Sequence, residues 1–257
     1  MIFESHAHYD DEAFDEDREK LLASLAGHGI GTVINVGASL AGCEQTLRLT
    51  EQYPFVYGAM GVHPSETQEL NEEGMAWLRE QCAREKIVAV GEIGLDYYWK
   101  EPEPALQKKW FERQLELARE VKLPVIIHSR DAAKDTLCMM QALHAEEMGG
   151  VVHCYSYTKE LAREYLEMDF YFGIGGVITF KNAKKLKEAV AYIPLEKILL
   201  ETDSPYLAPE PNRGKRNSSL NLPYIAEAVA QLKGVSCEEV VEITRRNAER
   251  LFRLRAA

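Results

Sequence analysis

The chain alternates short apolar runs with longer segments in which apolar residues recur every three or four positions. The short runs predict β-strands and the longer segments predict amphipathic helices. Eight predicted strands cover residues 2–6, 31–36, 56–60, 87–91, 125–128, 151–154, 170–173 and 198–201. Regular alternation of this kind predicts βαβ units and a parallel sheet.

The helical pattern is clearest over residues 15–27, 106–121 and 159–168, and two further helices are predicted at 222–232 and 237–251. Gly27 and Gly29 are expected to end the first helix, and Pro124 is expected to separate a helix from the strand after it. Low-complexity segments and linkers rich in Pro, Gly or Ser are absent from the sequence. We therefore expect one domain covering residues 1–257.

Eight parallel strands can form an open doubly wound sheet or a closed barrel. An open dinucleotide-binding sheet usually has a glycine-rich turn after its first strand, whereas this chain has Ser5-His6-Ala7-His8-Tyr9-Asp10 there. A length of 257 residues with 46% hydrophobic content suits a single α/β barrel. The expected fold is a (β/α)8 TIM barrel, with two domains as the alternative that length alone allows.

The composition restricts the classes of function. A net charge of −11 argues against a protein that coats nucleic acid nonspecifically, although a local basic patch can still bind phosphates. The five cysteines contain no C-x-x-C pair, as expected of reduced thiols. The sequence shows no signal-peptide pattern and no run of 18 apolar residues, so we expect a cytoplasmic protein without membrane or obligate protein partner.

Metal-ligand residue types stand at the ends of five predicted strands. His6 and His8 are two positions apart, so both side chains lie on one face of the first strand. The other strand ends supply Glu92, His128, His153 and Asp203. Each residue alone would suggest a structural role, but together they predict a metal centre. Six ligands exceed the needs of one tetrahedral ion, which indicates two divalent ions, with Zn²⁺, Mn²⁺ and Mg²⁺ all open.

Several short motifs follow one another along the chain. They are Ser5-His6-Ala7-His8, Gly61-Val62-His63-Pro64, Gly91-Glu92-Ile93-Gly94-Leu95-Asp96-Tyr97, Ile127-His128-Ser129-Arg130, Val152-His153-Cys154, Glu201-Thr202-Asp203-Ser204-Pro205 and Arg213-Gly214-Lys215-Arg216-Asn217. With these motifs in this order, the sequence resembles the TatD-type metal-dependent deoxyribonucleases of the amidohydrolase-like superfamily, and the resemblance runs from Phe3 to Leu254.

The resemblance implies a TIM barrel that hydrolyses phosphodiester bonds. It also implies a ligand set in which one ion is held by His6, His8 and Asp203, the other by His128 and His153, and Glu92 bridges them. The sequence departs from the family pattern at Glu4, where Asp is frequent, at Tyr155, where Phe is usual, and at Pro211-Asn212, where His-Pro is common. The last departure concerns substrate contacts, not predicted ligands.

The expected chemistry uses a metal-activated water, with Glu92 and Asp203 as catalytic residues and Asp203 orienting or deprotonating that water. The candidate substrate contacts are His63, Arg130, Arg213 and Lys215. Lys181, Lys184 and Lys185 are weaker candidates for phosphate contacts, because lysines on a solvent-exposed helix face would give the same pattern. Three successive aromatics, Tyr97-Tyr98-Trp99, have two interpretations: stacking on bases or packing as a hydrophobic lid.

The leading functional hypothesis is a deoxyribonuclease that acts as an exonuclease on single-stranded or frayed DNA ends. An alternative keeps the two ions but takes a small-molecule amide, lactone or phosphoester as substrate, because this barrel supports many chemistries. A third hypothesis is a catalytically silent metal-binding scaffold. The presence of all six ligand types argues against the third.

Overall fold

Eight β-strands form the centre of the computed structural model, which describes residues 1–254. The strands are β1 (Ile2–Ala7), β2 (Ile30–Val36), β3 (Val56–Met60), β4 (Ile87–Asp96), β5 (Val125–Arg130), β6 (Gly150–Val152), β7 (Tyr171–Ile174) and β8 (Ile198–Leu200). They belong to one sheet and follow each other in sequence order from β1 to β8. A sheet in which sequence order equals spatial order is the arrangement that successive βα units generate.

The chain after β8 returns to β1 and closes the sheet. Ala7 and Ser204 form a parallel bridge, and the backbone N–H of Asp203 donates to the carbonyl oxygen of His6 at 3.0 Å. His8 N donates to the carbonyl oxygen of Ser204 at 2.8 Å. The fold is therefore a (β/α)8 TIM barrel, as predicted.

The helices lie between the strands and after the last one. Within residues 1–254 they are α1 (Arg18–Ser24), α2 (Leu40–Gln52), α3 (Glu72–Gln81), α4 (Pro104–Val121), α5 (Ala133–Ala142), α6 (Lys159–Glu167), α7 (Lys184–Tyr192), α8 (Leu222–Lys233) and α9 (Cys237–Leu251). Side-chain caps begin three of them: Ser39, Asn71 and Ser236 each accept a hydrogen bond from a backbone N–H three residues later.

Two predicted boundaries differ from the structure for identifiable reasons. The first helix begins at Arg18 instead of residue 15, because the side chain of Asp11 caps a separate short turn over Glu12–Phe14. Strand β4 continues to Asp96 instead of ending at residue 91. Its last residues pair with β5, up to the register pair of Asp96 and Arg130, so pairing with the neighbouring strand extends it.

The barrel strands belong to two compact units. The first comprises Met1–Asn35, Cys154–Glu167 and the chain from Tyr171 onward, and the second comprises Val36–His153 and Met168–Phe170. Each has its own buried apolar side chains, such as Leu22 and Phe172 in the first unit and Met60 and Phe111 in the second. Since both units draw on separate stretches of chain, the single-domain interpretation stays a prediction.

Across residues 1–254, every helix is either too short or too polar to span the hydrocarbon layer of a membrane.

Candidate metal centre

The first unit brings His6, His8 and Asp203 together at the ends of two strands. His6 belongs to β1, His8 follows it directly, and Asp203 lies three residues beyond the end of β8. The backbone bonds that join β1 to the segment after β8 fix the three side chains on a common side. One ligand atom from each residue lies within 4.8 Å of the other two.

The distances in this first cluster suit a divalent cation. The Nε2 atoms of His6 and His8 are 3.1 Å apart, and Asp203 Oδ1 lies 3.7 Å from the first and 3.4 Å from the second. Ligand atoms about 2.1 Å from a tetrahedral ion lie about 3.4 Å from one another. Two imidazole nitrogens and one carboxylate oxygen are also the donor types that Zn²⁺ and Mn²⁺ accept. The first cluster therefore fits a metal ion in both spacing and chemistry.

The buried Glu4 side chain connects β1, which contains His6, to the segment after β8, which contains Asp203. Glu4 accepts hydrogen bonds from the backbone N–H of Thr202 at 2.8 Å, from the Thr202 hydroxyl at 2.7 Å and from the Ser219 hydroxyl at 2.8 Å. Burial raises the pKa of Glu4 to about 8, against the opposing effect of these hydrogen bonds. Thr202 directly precedes Asp203, so the hydrogen bonds of Glu4 connect β1 to the segment that contains the ligand candidate Asp203.

The second unit assembles a second cluster around Glu92, which lies in β4. Glu92 Oε1 is 2.6 Å from His128 Nδ1 and 2.6 Å from His153 Nε2, and these two nitrogens are 3.2 Å apart. The nitrogen pair has the spacing of metal ligands. The 2.6 Å contacts are at hydrogen-bond distance, and a nitrogen that donates to the Glu92 carboxylate carries a proton that a metal has to displace. The donor set therefore fits a divalent cation that displaces protons as it binds.

Asp96 also belongs to this second cluster, although it was not among the predicted ligands. Its Oδ2 atom lies 3.2 Å from His128 Nε2, so His128 stands between two carboxylates. Burial disfavours a charged imidazole, but Asp96 and Glu92 outweigh that effect and raise the pKa of His128. Burial also opposes ionisation of Asp96, but the hydrogen bond and charge of His128 outweigh it and lower the pKa of Asp96. The only sequence signal for Asp96 was its position at the end of the Gly91–Asp96 motif.

His63 lies beside the second cluster, at the start of the turn after β3. Its Nε2 atom is 3.9 Å from Glu92 Oε1, and its ring centre is 4.3 Å from that of His128. Burial lowers the pKa of His63 to about 3, with the neighbouring His128 as the next cause. Its Nδ1 atom accepts the backbone N–H of Ser65 at 3.1 Å, which assigns the ring proton to Nε2. His63 thus presents a neutral N–H donor next to the cluster.

The basic side chains that were predicted to contact substrate lie in different environments. Arg130, at the end of β5 in the second unit, stacks its guanidinium 3.7 Å from the centre of the Tyr98 ring. In the first unit, the Arg213 guanidinium lies 4.3 Å from the Phe180 ring centre, and Lys215 is exposed. Their neighbour Arg216 differs, since both of its terminal nitrogens bind the Asp17 carboxylate. Arg213 and Lys215 remain accessible, while Arg216 anchors its loop.

Glu201 is a further buried carboxylate, and the sequence did not predict it as a site residue. It accepts a hydrogen bond from the backbone N–H of Cys154 and is fully buried. A Cβ atom placed on Gly173 would lie 2.0 Å from Glu201 Oε2, so glycine at this position in β7 leaves the space that the carboxylate fills. The signal in the sequence was a glutamate directly after the apolar run of β8.

Comparisons with known proteins identify the family. The family model described as TatD related DNase matches residues 3–253. This chain belongs to the TatD-related DNase family. The metal-dependent hydrolase YabD of Bacillus subtilis, described as uncharacterized, is 43% identical over 99% of this chain and 100% of its own length. A Cronobacter sakazakii relative named 3'-5' ssDNA/RNA exonuclease TatD is 35% identical over 93% of both chains.

The fold also matches that of a solved TatD homolog. The crystal structure of YJJV, a TatD homolog from Escherichia coli K12, superposes with a TM-score of 0.93 at 29% identity, covering 99% of this chain and 98% of that one. As a TatD-family member this chain is a metal-dependent hydrolase that acts on ester bonds and uses a divalent metal. The two clusters described above contain His, Glu and Asp side chains of the types that hold such a metal.

Proposed function

We propose that this TatD-family hydrolase is a deoxyribonuclease that removes nucleotides from the 3′ ends of single-stranded or frayed DNA. The observation that carries the proposal is the spacing of His6, His8 and Asp203, which matches the edges of a metal coordination shell. The printed activity of the Cronobacter relative supports a 3′ end as the starting point. The family description names a DNase, which supports DNA as the source of the ester bond that is cleaved.

The proposal assigns one divalent ion to each cluster. His6, His8 and Asp203 would hold the first ion, and Glu92, His128 and His153 would hold the second; the bridging role of Glu92 stays a prediction. Bound divalent ions lower the pKa of a coordinated water toward about 7 and neutralise charge on a phosphate. Zn²⁺, Mn²⁺ and Mg²⁺ all remain compatible with mixed nitrogen and oxygen donors.

Asp203 has a second role in the proposal. Its side chain is only 15% exposed and has two oxygens, so one can face a ligand position while the other orients or accepts the proton of the attacking water. Its left-handed backbone, with φ of 58°, is held by the bond from Asp203 N to the His6 carbonyl oxygen. A general base in this role would lie at the partly exposed edge of the first cluster.

The substrate contacts follow from the donors that face outward. His63, with its proton on Nε2, can donate to a phosphate oxygen or to the leaving oxygen without first becoming charged. Arg130, Arg213 and Lys215 supply positive charge on a protein of net charge −11, where local cations are needed to attract a polyanion. A cytoplasmic location and the absence of a protein partner stay predictions.

The decisive experiment is degradation of a 5′-end-labelled single-stranded oligonucleotide by metal-stripped protein, with Mg²⁺, Mn²⁺ or Zn²⁺ restored separately. We expect a ladder that shortens from the 3′ end only when metal is present, and loss of at least about 100-fold in rate in Asp203→Asn. Asp169→Asn is the matched control, because Asp169 is exposed and asparagine tolerates its positive φ of 62°.

Two results would contradict the proposal. Full activity in Asp203→Asn would remove that side chain from the chemistry. Failure of the metal-loaded protein to cut any labelled strand, while turning over an amide, lactone or phosphoester, would replace DNA by a small molecule and leave both clusters in place.

A further inference from the structure

The segment that follows β4 exposes two large aromatic side chains next to each other. Tyr98 is 54% exposed and Trp99 is 55% exposed. Their ring centres are 4.9 Å apart and the rings are perpendicular, at 88°. The hydrophobic-lid interpretation of Tyr97-Tyr98-Trp99 requires these rings to be covered by protein. Their exposure instead leaves about half of each side chain available to a ligand.

Arg130 completes this surface. Its guanidinium carbon lies 3.7 Å from the centre of the Tyr98 ring, which is a stacked cation–π contact. Stacking holds the planar group in one orientation and leaves its N–H groups free to point outward, where they match the oxygens of a phosphate. Arg130 is exposed at the end of β5, two residues after His128. We name Tyr98, Trp99 and Arg130 the aromatic platform.

Short contacts fix the platform to the second metal cluster. Asp96 Oδ1 accepts the backbone N–H of Tyr98 at 2.9 Å, while Asp96 Oδ2 lies 3.2 Å from His128 Nε2. The backbone N–H of Tyr97 donates to the carbonyl oxygen of Arg130 at 2.9 Å. One carboxylate thus contacts both the platform backbone and a ligand candidate, so the platform lies one side chain away from the cluster.

The loop that carries the platform is anchored at both ends. The Gln107 side chain accepts the backbone N–H of Asp96 at 2.9 Å and donates to the carbonyl oxygens of Asp96 and Pro102 at 2.9 and 2.8 Å. The Tyr97 hydroxyl donates to Asp135 Oδ2 at 2.9 Å. A loop held in this way presents its aromatic rings with little ordering to lose on binding.

We propose that the aromatic platform is the binding site for one unpaired nucleotide of the substrate strand. The Trp99 ring stacks on the base, and the Arg130 guanidinium, held by Tyr98, binds the adjacent phosphate. The inference rests on the proposed nuclease function and names how that function distinguishes its substrate. Base faces are covered by neighbouring bases inside a duplex, whereas an unpaired end exposes them, so the platform selects single strands with little regard to base identity.

Binding to metal-stripped protein tests the platform without turnover. The probe is a single-stranded oligothymidylate, and its dissociation constant is measured by fluorescence anisotropy for wild type, Trp99→Ala and Trp99→Phe. Stacking on an aromatic side chain is worth about 1–3 kcal/mol per base, so Trp99→Ala should bind about 5- to 150-fold more weakly. Trp99→Phe should recover most of the affinity. Tyr192→Ala is the matched control, because Tyr192 is also an exposed aromatic, 48% accessible, on α7.

A second probe separates stacking from phosphate binding. An oligonucleotide of the same length with abasic sites keeps the phosphates and removes the bases. Wild type should bind this probe as weakly as Trp99→Ala binds oligothymidylate, and Trp99→Ala should show little difference between the two probes. Arg130→Gln should weaken binding of both probes by a similar factor, because it removes a phosphate contact.

Steady-state cleavage by the metal-loaded enzyme provides the kinetic readout. Trp99→Ala should raise KM for single-stranded ends about tenfold or more while kcat changes less than about threefold, since Trp99 contributes binding and not chemistry. Equal KM and equal affinity in wild type and Trp99→Ala, with wild type active, would overturn the platform and leave the nuclease standing. Binding that depends on Trp99 without cleavage of any strand would support the platform and overturn the nuclease.

Discussion

The Nε2 atoms of His6 and His8 lie 3.1 Å apart, with the Asp203 carboxylate within 3.7 Å of both. Three such donors bind a cation only in the folded state, so the metal should stabilise the fold. At a metal concentration 100 times its dissociation constant, the gain is about 2.7 kcal/mol. For a chain of this size that corresponds to a rise of about 5–10 °C in the melting temperature.

We therefore expect Zn²⁺ or Mn²⁺ to raise the melting temperature of metal-stripped wild type, as measured by circular dichroism, and to raise that of His8→Ala much less. The control is His144→Ala, since His144 is 68% exposed and its imidazole contacts only Glu146 among the pairs described. An equal rise in wild type and His8→Ala would exclude His8 as a ligand.

This first cluster is the part of the site that the sequence predicts best. Strand side chains alternate, so a spacing of two residues is enough to place His6 and His8 on one face. Asp96 could not be predicted in the same way. Its contact with His128 depends on β4 running five residues past its predicted end at residue 91, and that extension follows from pairing with β5.

The proton on His63 is also beyond sequence reasoning. It depends on a backbone N–H, that of Ser65, turning back to the imidazole at 3.1 Å. The eight-strand order, in contrast, follows from regular alternation of apolar runs and helices, which short connections and right-handed crossovers convert into one closed sheet. Patterns that repeat are readable in the sequence, whereas single backbone contacts are not.

Metal binding at the second cluster should release protons. The carboxylates of Glu92 and Asp96 raise the pKa of His128, so protons compete for this imidazole at higher pH than for an ordinary histidine near 6.5. Below the raised pKa, each unit decrease in pH should weaken metal affinity at this cluster by about tenfold. Titration calorimetry at constant pH in two buffers of different ionisation enthalpy measures the released protons directly. An affinity that is flat from pH 6 to pH 8 would contradict the expectation.

Lys215 should contribute to the salt dependence of strand binding. Each phosphate neutralised on a single strand adds about 0.7 to the slope of log affinity against log salt. Lys215→Gln should therefore reduce the magnitude of that slope by about 0.7 in anisotropy titrations between low and moderate salt. Lys122→Gln is the matched control, because Lys122 caps the C-terminal end of α4 three residues before β5 begins, at the opposite end of that strand from Arg130. An unchanged slope in Lys215→Gln would remove Lys215 from the phosphate contacts.

Gly94 should be essential to the second cluster because of its position in β4. A Cβ atom at Gly94 would lie 1.9 Å from the carbonyl oxygen of His128, and the φ of +150° is one that other residues rarely adopt. The His128 backbone cannot retreat without moving a ligand candidate. Gly94→Ala should therefore lower the free energy of unfolding of metal-stripped protein by about 3 kcal/mol or more, measured by urea titration.

Gly27→Ala provides the comparison, because a Cβ atom at Gly27 meets nothing within 4 Å. Its free energy of unfolding should stay within about 1 kcal/mol of wild type, on the stabilising side, since alanine restricts the unfolded chain more than glycine does. Both substitutions add the same methyl group, so the difference between them measures the contact with the His128 carbonyl together with the backbone strain at the φ of Gly94. Equal unfolding free energies for the two variants would mean that β4 and β5 separate at low cost, and the close approach at Gly94 would then not position His128.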